Sequence, residues 1–141
     1  MGIFSWVRGI DYSLTGVRGE INAIAIYNDS GSKIGGSKAV GENEDLSFGK
    51  STYSYEVTTD PERGEGWLSL EGDAVFDVPA GETVKWVAVY LSTDESTPVS
   101  SEEERQESWI AYKELDYYYE NEGTLTITSF EIKQTTSTTG A

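Results

Sequence analysis

An all-β fold, an antiparallel β-sandwich of jelly-roll-like or Ig-like plan preceded by a short N-terminal helix or arm, is the class this sequence predicts. Three observations predict it. From residue 20 onward the apolar residues recur in short runs or strict alternation, not at helical spacing. Clusters of Gly, Asn, Asp, Ser and Pro separate those runs. The chain has 141 residues, enough for one domain with its own core, and contains no Cys with which to staple a smaller one. Three segments are expected: an arm or short helix over 1–19, a sandwich over 20–134 and a disordered tail over 135–141.

The arm is the only stretch with helical period. Ile3, Trp6, Val7, Ile10, Leu14 and Val17 recur at intervals of three and four. Gly9 and Gly16 weaken a helix there, so a short one near 12–17 is expected, with Asp11 or Ser13 as cap and Gly19 as terminator. Its interrupted apolar run does not read as a signal peptide. The start MGIFSW superficially matches a myristoylation signal, but an ordinary initiator Met followed by Gly is the simpler reading.

EINAIAIY, 20–27, is apolar on both faces and reads as a buried central strand. NDSGSKIGG, 28–36, reads as a turn. Its alternating oxygens leave calcium as a minor alternative, without the closing Glu of such loops. KSTYSYEVTT, 50–59, alternates, and so does GWLSLEGDAVFDV, 66–78. Pro79 cannot donate to a ladder, so a strand stops there or lies at an edge. Gly81 supplies the positive φ that a tight turn needs. TVKWVAVYLS, 83–92, is apolar on both faces and calls for a packed layer on each side. An acidic loop is expected over 93–108. Two strands joined near 120–123 should follow, with a β-bulge near Thr128-Ser129 or burial of both faces where the apolar parity changes.

Composition removes several functions. Twenty-five acids against ten bases give a net charge of −15, which opposes binding to nucleic acid and to anionic membranes. It favours a basic or neutral partner. There is no His and no Cys, so the usual His-dependent triads cannot form. The carboxylates in 41–45, 101–105 and 114–122 are abundant, but most fall in loops, where solvation is the default. No catalytic, cofactor or metal residues are assigned, and the chain reads as a non-enzyme.

The aromatic residues are the remaining signal. Core packing is the expected role of Trp86 and Trp109. In an extended run, Tyr118 must face opposite to Tyr117 and Tyr119, so at least one of the three should be exposed. Interface, core-edge packing and ligand stacking all remain open for that run.

AVFDVPAGETVKWVAVYLS, followed some way on by YYENEGTLTITSFEI, resembles a pattern in small β-sandwich structural proteins of tailed bacteriophages. Asp77 to Gly81, Val84 to Tyr90 and Gly123 to Ile127 carry the likeness, which spans 20–133. The arm and the acidic loop depart from it. The resemblance implies a virion component on the outside of the head, as decoration or head fibre, or a tail accessory. It implies no catalytic residue. Its partners would be other virion proteins, capsid or tail subunits, with self-association or many symmetric copies. The assembly interface expected on this reading is Ile3, Phe4, Trp6, Val7 and Ile10 of the arm with Tyr117, Tyr118 and Tyr119. A carbohydrate-binding or adhesin-type sandwich is the alternative, resting on the same aromatics.

Overall fold

Two strands with apolar residues on both faces organise the molecule. β1 (Ala23–Tyr27) is buried along its whole length, and β6 (Glu82–Tyr90) is buried from Val87 to Tyr90. They pair antiparallel at the centre of a four-stranded sheet, flanked by β2 (Lys33–Ala39) and β7 (Ala111–Tyr119) in the order β2-β1-β6-β7. A computed structural model describes residues 6–55, 63–91 and 99–136. The remaining strands are β3 (Ser47–Tyr55), β4 (Arg63–Glu71), β5 (Ala74–Val78), β8 (Gly123–Ile127) and β9 (Glu131–Thr136). They form a three-stranded sheet β3-β4-β9 and a two-stranded ribbon β5-β8. All strand pairing between these elements is antiparallel, which makes this an all-β, sandwich-like fold.

β4–β5 and β8–β9 act as two long strands bent together. Ser69 pairs with Glu131, and past the bend Ala74 pairs with Ile127. The register slips by one residue across the bend, and the extra residue lies on the β4–β5 side, where Gly72 has φ 92. A bulge with Gly at positive φ produces such a bend. The irregularity expected at Thr128-Ser129 is therefore a break between two strands, and Phe130 and Ile132 turn inward because β9 has moved to a different partner.

The segment around Pro79 also differs from a hairpin. Gly81 has φ 84, as its turn requires. Yet β5 and β6 do not pair with each other: β5 pairs with β8, and β6 with β1 and β7. β5 alternates buried and exposed residues and needs one packed face, whereas β6 needs two. The turn carries the chain from one layer to the next. β7 and β8 are likewise split between layers.

Three further expectations are corrected. Residues 28–36 are a turn only as far as Ser32, because Lys33 begins β2, an edge strand formed by pairing with β1 and burying little beyond Ile34. The acidic loop contains a helix, α2 (Glu102–Ser108). Ser101 caps it by accepting from the Glu104 N–H at 3.1 Å and donating its hydroxyl to the Glu104 carboxylate at 3.1 Å. The tail begins later than expected, since Thr135 and Thr136 belong to β9, while 137–141 lie outside the described residues.

The N-terminal helix α1 runs Trp6–Glu20, well beyond 12–17. Its glycines make it a weak helix alone, but tertiary packing overrides propensity. Ile10 and Leu14 are each 1% exposed and join the core between the layers. They sit over Gly66 of β4, where a Cβ would lie 2.5 Å from Leu14 Cδ1 and 2.6 Å from Ile10 Cγ2. Asp11 is not a cap: its carboxylate pairs with Lys50 of β3 at 2.8 Å. α1 is thus built into the fold, and full burial of two such side chains contributes roughly 3–6 kcal/mol.

Candidate functional site

The β7 edge is the best-supported candidate. β7 hydrogen-bonds to β6 on one side and has no strand partner on the other among the described residues. Opposite Lys85 the β7 strand carries an extra residue, since Val84 pairs with Tyr117 but Trp86 with Glu114. The Lys85 ammonium contacts the Glu114 carboxylate at 2.8 Å. That hydrogen bond raises the Lys85 pKa above its ordinary value, against some desolvation.

The three tyrosines have different roles. Tyr119 is half-buried against the core. Its hydroxyl donates to the Thr124 carbonyl at 3.2 Å, and its own carbonyl accepts from Gly81 N–H at 2.7 Å. Tyr117 and Tyr118 are 50% and 66% exposed. They are consecutive in the strand, so they project on opposite sides of the sheet. Beside β7 runs an open cleft of about 440 Å³ lined by Ala111, Lys113, Phe130 and Ile132.

The arm contributes less to this surface than expected. Ile10 is corrected from an interface residue to a core residue, because Gly66 gives its side chain a place inside the fold. Trp6 and Val7 lie in the first turn of α1, and their side chains lie outside the described set. Ile3 and Phe4 also lie outside it. Of the eight expected interface residues, the structure places only Tyr117 and Tyr118 on described, open surface. The tyrosine run and the arm are not brought into one site by any described contact.

The outer face of the β2-β1-β6-β7 sheet holds a second apolar layer. Tyr27, Trp86, Tyr90, Trp109 and Tyr112 pack there with Val99. Ring centroids are 6.2 Å apart for Trp86–Trp109, 5.7 Å for Trp86–Tyr112 and 5.3 Å for Trp109–Tyr112, all mutually tilted. The core role expected of Trp86 and Trp109 is found here. The guanidinium of Arg105, from α2, lies 4.4 Å from the Trp86 ring centre. The sequence has no signal for that contact, because a basic residue in an acidic run reads as solvated.

The loop 28–32 spends its oxygens on itself. Asn28 Oδ1 accepts from Ser30 N–H, Ser30 hydroxyl and Ser32 N–H at 3.0, 2.8 and 2.9 Å. Among the described residues no group of three or more Asp or Glu is arranged to hold a metal ion. The one buried charged residue described is Glu65, whose carboxylate lies 3.4 Å from the Lys133 ammonium. No described helix is long and apolar enough to cross a membrane. No family model, curated protein or solved structure matches the chain.

Proposed function

We propose that the chain is a non-enzymatic structural protein of a tailed-bacteriophage virion, seated on the outer surface of the head or on the tail and acting by protein–protein assembly. The observation that carries the assembly reading is the open edge of β7 with Tyr117 and Tyr118 exposed on it. A free strand edge offers unpaired N–H and C=O groups to another chain. Tyr is enriched where such surfaces meet partners. The virion assignment rests on the sequence likeness around the Pro79 turn and the Gly123 strand. An external position follows from the −15 charge, which packaged DNA would repel.

A sugar-binding platform has weaker support. Stacking on a sugar needs an open aromatic face beside polar groups, and Tyr117 and Tyr118 do not share a face of the sheet. Trp67 is half-buried, with the Lys133 ammonium 5.7 Å from its ring centre.

The test is binding of the full chain to empty capsids and to isolated tails of a source phage, with Tyr117→Ser/Tyr118→Ser beside it. Saturable binding to either, reduced at least tenfold by the double substitution, supports the reading and assigns head or tail. Binding to neither overturns the virion reading, and a glycan titration followed by Trp fluorescence then becomes the next measurement.

A further inference from the structure

We propose that the open edge of β7 pairs with an extended segment of another protein in which basic and apolar residues alternate. The basic row meets Glu114 and Asp116, and the apolar row enters the cleft between β7 and β9. The proposal rests on the assembly reading and names the chemistry of the partner.

The seam of the sandwich has room for a strand. Each of the two larger sheets ends there on a strand with one ladder neighbour among the described residues, β7 beside β6 and β9 beside β4. The cleft of about 440 Å³ lies between these two edges, with Ala111 and Lys113 on one side and Phe130 and Ile132 on the other. Phe130 is buried and Ile132 half-buried, so the cleft has an apolar floor. One more strand on β7 would cover that floor and meet the outward N–H and C=O groups of the edge, as peptides do when they extend a sheet.

The two faces of β7 set the pattern of the incoming strand. Glu114 stands opposite Trp86 on the outer face, and Asp116 follows two residues on; both are exposed. Lys85 touches Glu114 at 2.8 Å, and Asp116 and Asp29 act on the same ammonium from further away. Three carboxylates thus surround one ammonium beside the edge. α2, on the same outer face, adds four Glu against one Arg. Lys113 pairs with Val87, a core residue, and so lies on the inner face. There it repels a basic row from the cleft and confines basic residues of the partner to the outer face.

The same charges disfavour a second copy of this edge. In the symmetric antiparallel register about Leu115, Glu114 of each chain faces Asp116 of the other, and like charges directly opposite are destabilising. Both copies also carry −15. Bulges and charged side chains are devices by which strand edges repel other strands. Here the bulge opposite Lys85 leaves Ala111 to Glu114 in regular register with β6, and the charges are sorted by face. The edge therefore rejects acidic strands and admits a basic one.

The experiment is a fluorescence-anisotropy titration of labelled KVKVKVK peptide with the full-length chain, at about 0.15 M salt to screen long-range attraction to the net charge. KKVVVKK, of the same composition, and EVEVEVE are the comparison peptides. KVKVKVK should bind at least tenfold more tightly than either. Its affinity should fall about fivefold in Glu114→Gln/Asp116→Asn, and its binding should slow amide exchange in 111–114 but not in β2. Of two N-methylated versions, one blocked on the Val nitrogens and one on the Lys nitrogens, one should lose binding, because a strand directs alternate N–H groups to each side. Equal binding of KKVVVKK, indifference to Glu114→Gln/Asp116→Asn, or survival of binding in both N-methylated versions overturns the proposal. So does self-association of the chain alone that Tyr117→Ser/Tyr118→Ser abolishes, which would give the edge to a second copy. Loss of these peptide effects while capsid or tail binding persists removes the basic strand and leaves the assembly reading standing. Selective peptide binding without capsid or tail binding supports the basic strand and removes the virion.

Discussion

The two faces of β1 and β6 are built on opposite terms. The inner face packs Ile24, Ile26, Val84, Val87 and Val89 into a largely aliphatic core, with Phe48, Phe76 and Phe130, shared with both other sheets and with α1. The outer face packs alanines and aromatic rings under a short acidic helix. α1 inserts Ile10 and Leu14 into its core, whereas α2 inserts no side chain fully and lays one Arg across a ring. A helix that contributes side chains to the interior becomes part of the domain's stability. A helix that only rests on the surface can leave without unfolding it.

That contrast can be broken most severely at α1. Leu14→Ala removes a buried side chain from a close-packed site and should cost about 2–5 kcal/mol. Its thermal or urea midpoint should fall as one cooperative transition, and a normal midpoint would mean α1 is dispensable. Gly66→Ala attacks the same contact from the sheet. The new methyl group meets Leu14 and Ile10 at 2.5 and 2.6 Å, and overpacking of this kind costs about 1–3 kcal/mol. At α2, Ser101→Ala removes the cap and should cost about 1 kcal/mol, confined to that helix. Amide exchange within 102–108 should accelerate while exchange in β1 and β6 stays unchanged. Parallel acceleration in both would show that α2 and the domain open together.

The smallest effect concerns pH. Glu114 raises the Lys85 pKa in the folded state, so the pair contributes below the ordinary Lys value of 10.5. The contribution is lost as pH rises through the raised folded value. Glu114→Gln should flatten that alkaline part of the stability curve and leave the region near neutrality almost unchanged. The ammonium is exposed, so salt should mimic the substitution.

The two-faced strands were legible because their apolar residues are contiguous, and 20–27 and 83–92 could be read as central. Alternation likewise exposed β4, β5 and residues 50–55 of β3; the rest of the strand expected over 50–59 lies outside the described residues. Pairing was not legible. The Pro79 turn looks like a hairpin locally, but partner choice depends on β8 and β7, distant in sequence. β2 was hidden because an edge strand with one buried side chain has no apolar pattern to read. α1 was underestimated because its three glycines argue against a helix, and only Gly66 on another strand explains why packing wins. At the candidate site, alternation showed that the tyrosines would divide between faces. Which of them stay exposed depends on β7 lying at an edge. The Arg105 contact had no sequence signature at all, since it joins residues from a helix and a strand brought together only by the fold.

The bent pair of long strands has a consequence for synthesis. β4 and β5 emerge from the ribosome well before β8 and β9, their ladder partners. Until the last strands arrive, β5 has no ladder partner and one edge of β4 stays open, so the sandwich cannot close during most of translation. Non-local pairing of this kind slows folding and prolongs exposure of strand edges. Chains stalled near residue 120 should bind a chaperone that captures extended apolar segments, and chains released at 136 should not.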